Sequence, residues 1–399
     1  MKKLILAATF FYLFISPFYF HPDIKTIYYL AHFLGSGVLN IYDFISTHKE
    51  ASLLGPFVYP PLAYYLFGIL YFPINVLAGS NFTAWLGMGN DAVTVDNIYR
   101  YIFLIKLPII SLFIYTGVLL SKLVEKQYKV LVAALWFFNP ISIYVVGLMG
   151  QFDVIPVFLT VLSLVLVKKK LFWAAVALGA GAAIKTYPLL LLPFLAITSS
   201  HDRKMQMKLL VIGLIPYLLS VAPFLKSSAF YSDTLTSGLS QRMLQLGLPV
   251  GFGEQILIVP AILIAFLFLC IYQDSGRKEK LPFYYLAITL TMVGGSHFHP
   301  QWALWALPFV ALYFVSVRSW LIYLFYFVGF LGTVFLFNDK FLTLGLLSPF
   351  DSGVFFLPTP AEVFTKVIEP SIVQSIFHTT LLVSGLWIVW VAYKTNKYE

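Results

Sequence analysis

Residues 1–23 read MKKLILAATFFYLFISPFYFHPD, and this stretch decides what kind of chain follows. Two lysines precede an apolar run, Leu4–Phe20, long enough to cross bilayer hydrocarbon, which takes about 17–25 helical residues. The layout is that of a signal sequence. The run is long for an h-region, however, and no A-x-A-like site follows, so it reads as an uncleaved first helix. The rest of the 399 residues continue in the same chemistry: 60% are hydrophobic, 18% aromatic and only 11% charged, against roughly a quarter charged in soluble domains. The expected fold class is an all-α polytopic membrane protein. Cys270 is the single cysteine and lies in an apolar run, so no intramolecular disulfide forms. The net charge of +9 is spread over short loops, which reads as a topology signal and not as a nucleic-acid surface.

Beyond the first helix, apolar runs fall at 60–78, 100–121, 130–147, 153–167, 171–185, 187–198, 208–225, 253–272, 282–296, 301–317, 319–337 and 371–393. Seventeen basic residues sit in clusters beside them: Lys2/Lys3, Lys122/Lys126/Lys129, Lys168–Lys170, Arg203/Lys204/Lys208, Arg277/Lys278/Lys280, Arg318 and Lys394/Lys397. The opposite loops hold six: Lys25, Lys49, Lys226, Arg242, Lys340 and Lys366. The positive-inside rule puts the seventeen in the cytoplasm. Residues 21–59 and 79–99 then lie outside, and 60–78, bracketed by Pro60, Pro61 and Pro73, is expected as an interfacial or re-entrant helix too short to span. About 12 spanning helices remain, with both termini inside. The short pair 171–185 and 187–198 is broken at Thr186-Tyr187-Pro188, and Gly179 and Gly181 suit close helix packing. The long outer segments are 21–99, 226–252 and 338–370, and no repeat or low-complexity tract interrupts a single domain over 1–399.

Polar residues at the membrane edge carry the chemistry to look for, because an ionised group at mid-bilayer costs about 2.5–3.5 kcal/mol on insertion scales. Asp23, a lone carboxylate where the first span ends, suits a general base; its plain alternative is a cap for the helix starting at Ile24. Asp43 is a weaker candidate. Gln151 and Asp153, in Gly150-Gln151-Phe152-Asp153, suit sugar hydroxyls or orientation of the base, or Asp153 simply caps the next helix. Lys185 suits a phosphate, against the alternative of a snorkelling lysine. Arg242 suits bidentate phosphate binding. His297 and His299 lack the companions of a zinc site and suit hydrogen bonds to phosphate or sugar. Tyr59, Gln301 and Trp302 stand in the same outer segments as substrate contacts, and Arg100 and Lys106 suit an anionic lipid. No P-loop, GxGxxG, HExxH or GxSxG occurs in a fitting context, so no cytosolic nucleotide-sugar site is visible.

Those residues, in that order, resemble the GT-C superfamily of polytopic glycosyltransferases, nearest to the branch of the GPI-anchor first mannosyltransferase and its prokaryotic relatives. The stretches that carry the likeness are His21-Pro22-Asp23, Asn40-Ile41-Tyr42-Asp43, Tyr59-Pro60-Pro61-Leu62, Asn139-Pro140, Gly150–Asp153, Lys168–Lys170, Lys185–Pro188 and Gln301–Trp305 with Pro308. The resemblance implies a GT-C-like bundle, with a catalytic module over 1–200 and variable helices over 201–399. It implies a hexosyltransferase, most closely a mannosyltransferase, that takes sugar from a polyprenyl phosphate such as dolichol phosphate. The acceptor would be a glycan, glycolipid or protein hydroxyl on the non-cytoplasmic face, attacked by inverting single displacement. Asp23 would be the base, with Lys185, Arg242 and His299 at the donor phosphate and Tyr59, Gln151, Asp153, His297, Gln301 and Trp302 at the substrate. No cofactor is implied; where relatives show a DxD-like pair this chain has Asp23-Ile24-Lys25, which does not support a divalent metal. The location implied is the plasma membrane of a prokaryote or the endoplasmic reticulum of a eukaryote. The rival readings are a transporter or lipid-linked glycan flippase, which calls for paired broken helices and midplane charges, and a non-catalytic scaffold.

Overall fold

A computed structural model describes residues 1–48, 51–237, 241–317 and 319–395. Lys49, Ser240, Arg318 and Lys397 lie outside the described residues. Each of the thirteen apolar runs contains a helix, and among the described residues the fold is all-α apart from one two-stranded antiparallel hairpin, β1 (Gly247–Gly251) and β2 (Glu254–Leu257). The sequence reading placed 253–272 in one apolar run. Its first residues are instead the turn and the second strand, and the helix begins at Ile258.

Among the described residues four helices are long and apolar enough to cross a membrane: Pro61–Ala78, Ile98–Leu120, Arg203–Phe224 and Pro370–Thr395. Two bent pairs, Lys2–Phe18 with Pro22–Ser36 and Lys126–Phe137 with Pro140–Met149, raise the number to six. Six more apolar helices have 10–17 residues, below the span length, so the expected count of about twelve is not reached by length alone. The expectation for 60–78 is also corrected in length. α4 (Pro61–Ala78) runs unbroken for 18 residues through Pro73, where a short interfacial piece was expected, and Ile69, Phe72, Val76 and Leu77 are exposed along it.

The two bends share one device. Pro22 opens α2 (Pro22–His32) and Pro140 opens the turn after α7 (Lys129–Phe137). The residue before each proline is extended, His21 at φ −127° and Asn139 at φ −132°, as the proline ring requires. Each then uses its side chain to cap the new helix: His21 Nδ1 accepts the Asp23 N–H and Asn139 Oδ1 accepts the Ser142 N–H at 3.0 Å. The axis swings 82° at the first bend and 44° at the second.

Helices apolar all round belong inside a bundle or a membrane. Leu281–Gly295 is of this kind, with every residue from Phe283 to Val293 buried; its Thr289 and Thr291 hydroxyls are satisfied by carbonyls one turn earlier. Leu171–Ala182 meets Arg203–Val221 at Gly179 and Gly213, where no Cβ fits at Gly179, as the small-residue pattern predicts. On the far side of the chain, Phe20 N–H bonds to Leu346 carbonyl, and Lys340 ammonium to Phe355 carbonyl. These bonds draw residues 340–356 over the end of α1 (Lys2–Ile15).

Candidate functional site

One cavity of about 790 Å³ gathers residues far apart in the chain, within the size range of small-molecule sites. Asp23, Tyr59, Lys185, Arg242, His299, Gln301 and Trp302 all line it. Apolar walls come from Phe57, Met243, Met292, Phe341 and Phe355.

Asp23 lies in the first turn of α2, one residue past its opening proline, where a carboxylate is favoured by the helix dipole. It is not the cap; that is His21. The side chain is 39% exposed to the cavity, and Gln151 Nε2 donates to Oδ2 at 2.9 Å. His21 Nδ1 stands 3.7 Å from Oδ1. This is no ion pair, because burial pushes the imidazole below its ordinary value and Nδ1 already accepts the Asp23 N–H. Asp23 is therefore an oriented carboxylate with no cation on it among the described residues.

Gln151 reaches Asp23 because of a buried lysine. Lys106, within α6 (Ile98–Leu120), donates to the carbonyls of Ser16 and Tyr19 at 3.1 and 2.7 Å and to those of Gly147 and Leu148 at 3.1 and 2.6 Å. One ammonium thus ties the end of α1 to the end of a π-helical turn, Ile143–Met149. Gly150 follows in the left-handed region at φ 73°, and a Cβ there would lie 2.6 Å from Lys106 Cε. The expectation that Lys106 contacts an anionic lipid is corrected: it is fully buried and meets four backbone carbonyls. Arg100 is exposed and donates to the Leu77 carbonyl.

Asp153 is placed differently from the expectation that it touches substrate. It sits at the start of Val154–Leu166, but its side chain does not cap that helix. It is 0% exposed and lies behind the cavity wall, accepting from Lys185 Nζ at 2.8 and 2.9 Å and from Trp305 Nε1 at 2.6 Å. The physical reason is charge: a buried carboxylate needs a partner, and Lys185 is the cation in reach. Lys185 faces the cavity with 14% of its side chain exposed and is ringed by Tyr59, Phe152 and Trp305, centroids 5.8, 5.4 and 5.5 Å from Nζ. Its charge is balanced, so it is a weaker anion anchor than its position in the sequence suggests. It comes free of Leu171–Ala182 where that helix unwinds before Pro188, at the expected break.

Three buried polar atoms on the cavity wall have no hydrogen-bond partner among the described residues: Arg242 Nη1, His299 Nε2 and Gln301 Oε1. Buried polar groups are nearly always satisfied, so three together on one wall mark a candidate ligand surface. Burial first, then the charges of Arg242 and Lys185, push the His299 imidazole down to about 3; it is neutral and offers a hydrogen bond, not a charge. Tyr187, Trp305 and Trp302 form a stacked column, centroids 4.2 and 4.9 Å apart, with His299 at 5.2 Å from Trp302. His297 is exposed and does not line the cavity, and Gln151 is buried behind Asp23.

Asp43 is held by Asn40 and by Ser227 Oγ, which donates to it at 2.5 Å; it lies off the cavity and fastens the first loop to residues 227–230. Sequence reading missed Lys25, Thr234, Met243, Phe341 and Phe355 as cavity residues. Lys25 alone carried a signal, a charge two residues from Asp23; its ammonium is bound by the Leu86 and Met88 carbonyls. Among the described residues no three His, Cys, Asp or Glu side chains converge as metal ligands. No family model matches this chain, and no curated protein matches its sequence.

Proposed function

We propose that the protein is an integral membrane glycosyltransferase that moves a hexose, mannose first, from a polyprenyl phosphate to a hydroxyl of a glycan, glycolipid or protein acceptor. The observation that carries the reading is the convergence on one cavity of an oriented, unpaired carboxylate, Asp23, with an arginine and a neutral histidine that have unmet hydrogen-bonding atoms. Asp23 takes the acceptor proton as its oxygen attacks the anomeric carbon; Gln151 holds the carboxylate. Arg242 and the His299 imidazole meet the departing lipid phosphate, and Lys185, fixed by Asp153, lends its remaining N–H. Trp302 presents a ring face to the sugar.

The membrane arrangement belongs to the same proposal: a GT-C-like bundle of about twelve spans in which the shorter helices cross together with their flanking turns. The cavity then opens on the side away from the basic loops, and both termini are cytoplasmic. α4 lies along the surface in this arrangement. It is about 27 Å long by helical rise, yet Phe57–Pro60 before it and Met88–Asn90 after it line the same cavity.

Purified protein in lipid nanodiscs, offered a panel of labelled polyprenyl-phosphate hexoses, tests the reading. Transfer from one of them is expected. Asp23→Asn is expected to lose about 10²-fold or more, the usual contribution of a general base, while keeping its fold. Full turnover in Asp23→Asn removes the base role, and no transfer from any donor removes the transferase.

A further inference from the structure

The hairpin Gly247–Leu257 is built for surroundings other than water. Between Arg242 and Asp274 the one charged residue is Glu254. Leu248 faces Ile256 across the ladder, and Val250 is the extra residue where the ladder is irregular between Pro249 and Gly251; all three are more than half exposed. The turn between the strands carries Phe252 in the left-handed region at φ 50°, between Gly251 and Gly253, and its ring is fully exposed. A non-glycine residue is rarely held there, and here the conformation thrusts an aromatic ring outward. A lone two-stranded hairpin is marginal in water, and one that exposes an apolar face and an apolar tip is more so.

We infer that this hairpin is immersed in the bilayer interface on the cavity's side of the membrane, with Leu248, Val250, Phe252 and Ile256 among the upper acyl chains. Its position argues for lipid as the occupant. The ladder closes through Ile258 N–H to the Leu246 carbonyl at 3.0 Å and runs without a linker into Ile258–Gln273. That helix exposes Ile264, Phe268 and Ile271, so one apolar surface continues from helix to hairpin. Open strand edges are not tolerated in mid-hydrocarbon, which fixes the depth as shallow: Glu254 and Gln255, in β2, leave polar groups to reach the headgroups. A protein strand is a poor alternative partner, because Pro249 has no N–H to offer and the ladder is irregular between Pro249 and Gly251. At its base, Arg242 and Met243 belong to the cavity wall, so the hairpin brings lipid beside the cavity.

The inference is read without substrate and rests on the membrane arrangement proposed above, not on the transfer chemistry. Cys270 is the single cysteine and is buried, so a Cys270→Ser background accepts one nitroxide label at a time. In nanodiscs, labels at Leu248 and Phe252 are expected to collide with oxygen severalfold more than with a water-soluble nickel chelate, as a label at Phe268 does. A label at the exposed Glu279 serves as the aqueous reference. Nickel access at 248 and 252 equal to that at 279 overturns the inference. If the labels disturb the turn, Phe252→Trp replaces them. Its added fluorescence is expected to be quenched by lipids brominated near the headgroup end of the acyl chain, and the absence of quenching overturns the inference equally.

Discussion

The ion pair behind the cavity gives the sharpest prediction. Lys185→Met leaves the Asp153 carboxylate, 0% exposed, with the Trp305 N–H on Oδ1 and no donor on Oδ2 among the described residues. Removing one partner of a buried pair destabilises by about 3–5 kcal/mol. Asp153→Asn strands the ammonium instead, but Lys185 is partly exposed and keeps its three rings, so a smaller loss of about 1–3 kcal/mol follows. The double variant buries no charge and loses mainly hydrogen bonds and packing, about 1–2 kcal/mol. The singles therefore overshoot the double, with a coupling of at least about 2 kcal/mol. Reversible unfolding by SDS in mixed micelles measures all three variants. Coupling below about 0.5 kcal/mol, the level of independent sites, refutes the pairing as a structural staple. The same proteins separate staple from substrate contact. If Lys185 acts chiefly by neutralising Asp153, the double variant transfers better than Lys185→Met; if it transfers no better while being more stable, Lys185 acts on the substrate directly.

Arg242→Ala is expected to lose about 10²–10³-fold in transfer, the scale of one donor lost from a charge-stabilising site, with Arg242→Lys intermediate because a point charge replaces the fork; equal rates for all three remove the arginine from the phosphate. His299 is held far below its unfolded value of about 6.5. The folded state therefore resists its protonation, and the associated stability is complete above pH 6.5 and is lost as pH falls toward about 3, by at most about 1.4 kcal/mol per pH unit. His299→Gln should flatten that dependence in unfolding measured at pH 7 and pH 5, and an unchanged slope contradicts it. Gly150→Ala places a side chain at φ 73° against Lys106 and is expected to destabilise by about 1–3 kcal/mol, with Asp23-dependent turnover falling as Gln151 shifts; wild-type stability contradicts the close approach.

What was legible beforehand depended on local chemistry. Apolar runs bounded by basic clusters and prolines mark helices and their breaks, because the bilayer and the proline ring act on adjacent residues. The break at Pro188, the end of the first span before Asp23 and the packing at Gly179 follow from such rules. Asp23 was found because a lone carboxylate beside a long apolar run has few structural reasons to be there. Phe341 and Phe355 were invisible: aromatic residues in an outer segment look alike until a lysine and a strand of backbone hydrogen bonds fold them over the cavity.

By itself, then, the sequence determined a helical chain of long apolar runs, its breaks, and a short set of polar residues at the ends of those runs. Only the tertiary structure decided which of them share a space and which cancel one another. Lys106, Asp153 and Arg242 read alike in sequence, as isolated charges at the ends of apolar runs or in the loops between them. Burial separates them: Lys106 is matched to four carbonyls, Asp153 is matched to Lys185, and Arg242 keeps an unmet N–H facing the cavity. A charge's role depends on its partners in space, and those lie up to 152 residues away along the chain, where no local rule reaches.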